Sequence, residues 1–290
     1  MSTFGGDHVS ELRPLLTGLK FPESPRWHSG RLWLADWGAQ EVIAVDLQGT
    51  SEVVGHVASF PFSIDWLPDG RMLAVSAAQC CLLRAETNGE WVTHSDLSSL
   101  SQRPWNEIVV DGRGSAYLNN IGFNFPGGEF APGIVALVTA GGSVLQVADD
   151  VAFPNGMAVT PDNTTLIVAE SYANRLTAFD IGPDGTLSNR RTWADVGDDH
   201  PDGICMDVEG AVWCADVGNK HCVRVAEGGE VLQTVEHDRA CFACMLGGPD
   251  RRTLFVVANE WGGPSSVGQP ADAHGQLLAV SVSTVGAGWP

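Results

Sequence analysis

Phe153-Pro154-Asn155-Gly156-Met157-Ala158-Val159-Thr160-Pro161-Asp162-Asn163, followed by Leu166-Ile167-Val168-Ala169, reads as a tight lead-in, a short apolar strand, an acidic turn and a second apolar strand. Variants of this unit recur along the chain. They open at Phe21-Pro22-Glu23, Phe60-Pro61-Phe62-Ser63, Pro104-Trp105-Asn106-Glu107 and His200-Pro201-Asp202-Gly203. A last one, without the proline, opens at Cys241-Phe242-Ala243-Cys244. With Glu23, Ser63, Asn106, Asn155, Asp202 and Ala243 in register, the steps are 40, 43, 49, 47 and 41 residues. That period marks a radial array of β-units. The expected fold is all-β: a single domain over 1–290, built as a six-bladed β-propeller with four-stranded blades.

The flanking residues fit this plan. Residues 12–20 read as a strand that pairs with 277–282 and closes the last blade, leaving 1–11 as a poorly ordered tail. Glu41-Val42-Ile43-Ala44-Val45-Asp46 alternates with the period of a half-buried strand, and Asn88-Gly89 between strands signals a hairpin. Blade three is expanded by residues 119–132, rich in Gly, Phe and Asn, which form either a pocket wall or lid, or a surface excursion. No stretch holds a 3.6-residue apolar period, and no linker divides the chain.

Composition narrows the function. With 35 acidic against 16 basic residues the formal charge is −19, which disfavours nucleic acid and anionic membrane surfaces as partners. There is no apolar leader in the first ten residues and no apolar run of spanning length, so a cytoplasmic location is expected. Seven cysteines, mostly within strand-like stretches, read as buried thiols of a reducing compartment. Cys241-x-x-Cys244 lacks the second pair that a structural zinc site requires. Neither a phosphate-binding glycine loop nor a GxSxG elbow is present, so an organic cofactor and a serine hydrolase are not indicated.

The chemistry lies in the registered position. In a propeller the innermost strands line the central channel, so equivalent residues of different blades converge on its axis. Glu23, Asn106, Asn155 and Asp202 would meet there. Two carboxylates and two amide oxygens suit a hard divalent cation, with coordination positions left for water or substrate. Taken singly, Asn155-Gly156 and Asp202-Gly203 also read as ordinary turns. Their shared register with Glu23 and Asn106 favours a metal site.

Phe21-Pro22-Glu23-Ser24-Pro25-Arg26-Trp27, Asn106 followed by Val110-Asp111, Phe153-Pro154-Asn155-Gly156 and His200-Pro201-Asp202-Gly203 resemble the senescence marker protein (regucalcin) and gluconolactonase family. The resemblance implies a divalent ion in the channel, most often calcium, with zinc, manganese, magnesium or iron as alternatives. Glu23, Asn155 and Asp202 match the family's metal ligands. Asn106 matches an asparagine beside the metal or substrate, which is a fourth ligand in squid-type diisopropylfluorophosphatase. The implied activity is hydrolysis of a lactone, typically of a sugar acid, with Asp202 and Asn106 as the catalytic residues. Asp202 or a metal-bound water would supply the base. The implied partner is a small-molecule lactone or ester, handled by a monomer or weak homo-oligomer. A phosphotriesterase, or a calcium-binding propeller without turnover, are the alternative readings.

The family's sugar-contacting arginine, two residues before the Asn106 position, is replaced by Pro104, with Arg103 one residue further off. Trp105, Phe62, Phe123 and Phe125 would make an apolar mouth suited to a more hydrophobic lactone, or would pack within blades. Arg103, Trp105, Asn106, Phe123 and His200 are the substrate-binding candidates. His200, two residues from Asp202 on one strand face, either assists proton transfer or faces solvent. Glu170 and Ser171 are further candidates to approach the channel.

Overall fold

Short apolar runs separated by Gly- and Asp-containing turns cannot bury themselves as helices, and here they pair as antiparallel strands. A computed structural model describes residues 12–267 and 273–288; the expected tail, 1–11, lies outside the described residues. The strands form six four-stranded sheets. In five of them the strands follow chain order. The sixth has the order Arg13–Leu19, Gly275–Ser281, Thr253–Asn259, Ala240–Gly247. Arg13 pairs opposite Ala279 and Leu19 opposite Gly275, so the N-terminal strand completes the last blade as expected. The innermost strands Pro22–His28 and Ala240–Gly247 pack together, joining the ring. This is a six-bladed β-propeller.

Burial falls from the axis outward. The innermost strands Phe62–Trp66, Trp105–Val110 and Pro201–Met206 are buried at every position, whereas Ser51–His56, the outer strand of blade one, has none buried. Apolar side chains of facing blades fill the space between sheets, with Trp105, Trp213, Tyr117 and Phe62 the largest fully buried. All seven cysteines are free thiols, and all but Cys80 are buried. The helical content among the described residues is one 3-10 turn, Pro264–Ser266, and none of their helices is long and apolar enough to cross a membrane.

One boundary differs from expectation. Asn119 and Asn120 belong to the strand Ala116–Asn120, so the blade-three insertion begins at Ile121. Both side chains are buried, and their amides bond backbone groups of neighbouring segments, which gives them structural duties.

Candidate metal centre and cavity

The registered residues occupy the same place in five of six blades. Glu23, Ser63, Asn106, Asn155 and Asp202 are each the second residue of an innermost strand. In blades one, three, four and five, pairing with the second strand slips there: between Glu23 and Arg26, Trp105 and Ile108, Pro154 and Met157, and Pro201 and Ile204. A bulge bends its strand and re-aims a side chain. Blade two, which carries Ser63, pairs without a slip. Blade six slips as well, between Cys241 and Ala243, so five blades are bulged at the registered position and four of those five carry an oxygen donor there.

Gly156 and Gly203, which follow two of these donors, are not in turns. Both lie within strands, and a Cβ on Gly156 would come within 2.5 Å of the Asp202 carbonyl oxygen, while one on Gly203 would come within 2.2 Å of Ala243 Cβ. Glycine is needed there because adjacent innermost strands approach too closely for a side chain. Backbone strain also gathers here, with Ser24 at φ 48° and Phe153 at φ 54°.

The four donors converge. Asn106 Nδ2 donates to Asn155 Oδ1 at 3.2 Å, and Asn155 Nδ2 donates to Ser171 Oγ at 3.4 Å, which in turn donates to the Pro201 carbonyl at 2.7 Å. Asn119 Nδ2 donates to the Asn155 carbonyl at 2.6 Å. Glu23, Asn106 and Asp202 are buried, at 5%, 5% and 9% exposure. Burial, with the nearby Glu107, pushes the Glu23 carboxyl up to about 8. Asp202 is pushed well above the ordinary carboxylate range by burial and then by the charges of Glu23, Glu107 and Asp216. Two buried carboxylates that repel one another, beside two amides, form a donor set that a hard divalent cation fits.

These four residues line a cavity of about 370 Å³. Its walls come from two repeated registers. Phe21, Pro61, Pro104, Phe153 and His200 lie two residues before the registered position, and Trp37, Ile121, Ser171 and Val217 directly follow the second strands. Phe21 stacks on Trp37 at 5.4 Å, and Phe153 packs against Tyr172 at 4.7 Å and Phe125 at 5.0 Å. Both registers recur in the sequence at fixed places in the repeat.

The structure sorts the other candidates by place. His200 and Phe125 line the cavity, and so does Ser171. Arg103 is exposed and is not among its lining residues. Trp105 is fully buried in the interblade core, with its indole N–H on the Ser101 carbonyl. Phe62 is likewise core. Phe123 packs behind the wall, against Phe125 and Phe153, and does not line the cavity. Glu170 is fully buried away from the cavity, held by Arg175 at 2.9 Å, Thr177 and the Ala152 amide. The blade-three insertion supplies a wall through Ile121 and Phe125.

A second set of metal-type side chains, Asp199, Asp216 and His221, has ligand atoms within 4.8 Å of one another and did not stand out in the sequence. Its donors are already engaged. Asp199 Oδ1 meets His221 Nε2 at 2.9 Å and Asn219 Nδ2 at 2.7 Å, and Asp216 accepts the backbone amides of His200 and Asn219. It braces the loop behind His200.

Comparison with known proteins agrees with the architecture. The squid (Loligo vulgaris) protein diisopropyl-fluorophosphatase is 24% identical over 249 residues, 77% of this chain and 78% of its own. Regucalcin of Xenopus laevis is 34% identical over 122 residues, which span 40% of each chain. The crystal structure of a calcium-binding regucalcin from Agrobacterium tumefaciens superposes with a TM-score of 0.79 at 22% identity, covering 97% of both chains. Residues 21–260 match the family described as the SMP-30/Gluconolactonase/LRE-like region, and the chain belongs to that family.

Proposed function

We propose that this protein is a divalent-metal-dependent lactonase, with calcium the first candidate ion, acting on lactones more hydrophobic than those of sugar acids. The observation that carries this reading is the pair of buried, mutually repelling carboxylates, Glu23 and Asp202, facing Asn106 and Asn155 in an aromatic-walled cavity. Glu23, Asn106, Asn155 and Asp202 would hold the ion, which when bound supplies Lewis-acid polarisation of the lactone carbonyl.

The chain's own residues account for the remaining work. Phe21, Trp37, Phe153 and Tyr172 exclude water and bind apolar substrate surface, while Asn106, beside Asn155, orients the carbonyl. An Asp202 carboxylate oxygen accepts the proton of the attacking water. Water oxygen bonds to the carbonyl carbon, the ring C–O bond breaks, and the leaving ring oxygen takes the proton that Asp202 received. Among the described residues no arginine lines the cavity, which supports a substrate without many hydroxyls. One chain builds the whole site and closes its own ring, which supports a monomer or weak homo-oligomer. The free thiols support a cytoplasmic setting.

A phosphotriesterase is the second reading, favoured by the match to diisopropyl-fluorophosphatase over 77% of the chain. A panel of alkyl γ- and δ-lactones, gluconolactone and diisopropyl fluorophosphate, assayed with calcium and with chelator, separates these. The expected result is calcium-dependent turnover with kcat/KM highest for alkyl lactones. Hydrolysis of the organophosphate alone would favour the second reading, and tight calcium binding with no turnover would leave a binding protein.

A further inference from the structure

We propose that the polar residue ending the second strand of blades one, three, four and five is a positioning residue for the oxygen donor of its own blade. This inference rests on reading the channel mouth as a cation site. The six residues concerned, Asp36, Ser76, Asn120, Glu170, Asp216 and Asn259, stand at one register, each opposite the first residue of the innermost strand. In the four donor blades the side chain reaches across to the loop leading into that strand. Asp36 accepts the amides of Lys20 at 2.9 Å and Phe21 at 2.8 Å, just before Glu23. Asn120 Nδ2 donates to the Arg103 carbonyl at 2.6 Å, three residues before Asn106. Glu170 accepts the Ala152 amide at 2.7 Å, three residues before Asn155. Asp216 accepts the His200 amide, two residues before Asp202.

The two blades without a donor lack this tie. Ser76 accepts the amide of Gln79 in its own turn. Asn259 donates to the Lys20 carbonyl, in the loop of blade one, at 2.8 Å. The ties therefore follow the donors and not the fold. Blade six is bulged between Cys241 and Ala243 yet has neither donor nor tie, so the anchor goes with the donor and not with the bulge: an oxygen donor seated in loosened pairing needs its lead-in loop fixed. The four tying residues are at most 3% exposed, and their bonds are made in low dielectric, where they fix position firmly. A donor set held this way is preorganised before the ion arrives.

The test compares Asp216→Asn with Asp207→Asn in the same blade. Asp207 is an equally buried carboxylate that accepts the Glu209 and Ala211 amides and pairs with Arg224 at 2.6 Å. Calcium affinity is read by calorimetry, exchange of the His200 amide by NMR on metal-free protein, and stability by urea denaturation. Asp216→Asn is expected to weaken calcium about 10- to 100-fold and to speed exchange at His200. Asp207→Asn is expected to lower stability while leaving both unchanged. Asn120→Ala, which frees the Arg103 carbonyl on an exposed loop and the Gly122 amide, gives the same affinity readout should Asp216→Asn fold poorly. Calcium affinity equal to wild type in both Asp216→Asn and Asn120→Ala, or an equal loss in Asp207→Asn, would overturn the inference. A wild type that binds no divalent ion would overturn the metal centre and this inference with it.

Discussion

Two groups of buried charges share the innermost strands, a few residues apart, and they are resolved differently. Beyond the mouth, Arg26 reaches Glu107 Oε1 and the Ile108 carbonyl, at 3.0 and 2.8 Å. Asp65 accepts the amides of Val110 and Trp66, at 2.7 and 2.8 Å. Burial still pushes Asp65 up, to about 6, but the Arg26 charge opposes it. At the mouth, Glu23 and Asp202 have no ion-pair partner among the described residues, and Glu23 reaches about 8. Equal burial with a built-in cation makes a structural plug. Equal burial without one leaves room for a cation from solution. Unbalanced charge, more than burial, distinguishes the functional end.

The contrast can be broken from either side. The largest expected effect is at the mouth: Asp202→Asn should lower calcium-dependent lactone turnover by about 10²- to 10⁴-fold, measured as kcat with the ion saturating. Unchanged turnover would remove Asp202 from the chemistry. At the other end, Arg26→Met leaves Glu107 buried without its cation and should cost about 3–5 kcal/mol of stability in urea denaturation. A neutral outcome there would mean that the plug is dispensable.

The pH dependence of the metal-free protein sharpens the same comparison. A carboxyl raised on folding keeps a proton that the unfolded chain has lost, so stability falls as pH rises from the ordinary value to the raised one. For Asp65 this window runs from 3.8 to about 6, and for Glu23 from 4.5 to about 8. Between pH 6 and 8 the continuing loss should therefore come from the mouth, and Glu23→Gln should flatten it. Denaturation midpoints measured across that range, with and without calcium, decide this; a slope unaffected by Glu23→Gln would place its origin elsewhere.

Much of this was legible in the repeat, and the remainder has physical reasons for escaping. The register of Glu23, Asn106, Asn155 and Asp202 was visible because five of the six inner strands have a proline within the two residues before the registered position. Outer strands such as Ser51–His56 and Leu187–Asp195 are largely exposed, carry no strong alternation, and did not stand out. Phe123 looked like a mouth residue because the insertion does line the cavity, but it packs behind Phe125 and Phe153. Trp105 looked like one because sequence distance to Asn106 does not report side-chain direction. In a bulged strand, neighbours of a channel-facing residue turn into the core. Arg103 stands close to Asn106 in sequence, yet it sits on an exposed loop outside the cavity lining. The ties from Asp36 and Asp216 were hidden because each spans a strand pair, and only pairing register shows which residues face one another.

Calorimetric titration of metal-free protein with calcium, wild type beside Glu23→Gln, probes the site most directly. Charge convergence at the channel mouth predicts one ion per wild-type chain and no measurable uptake by Glu23→Gln. Wild-type protein that takes up no ion, or a Glu23→Gln variant that binds as tightly as wild type, would contradict it.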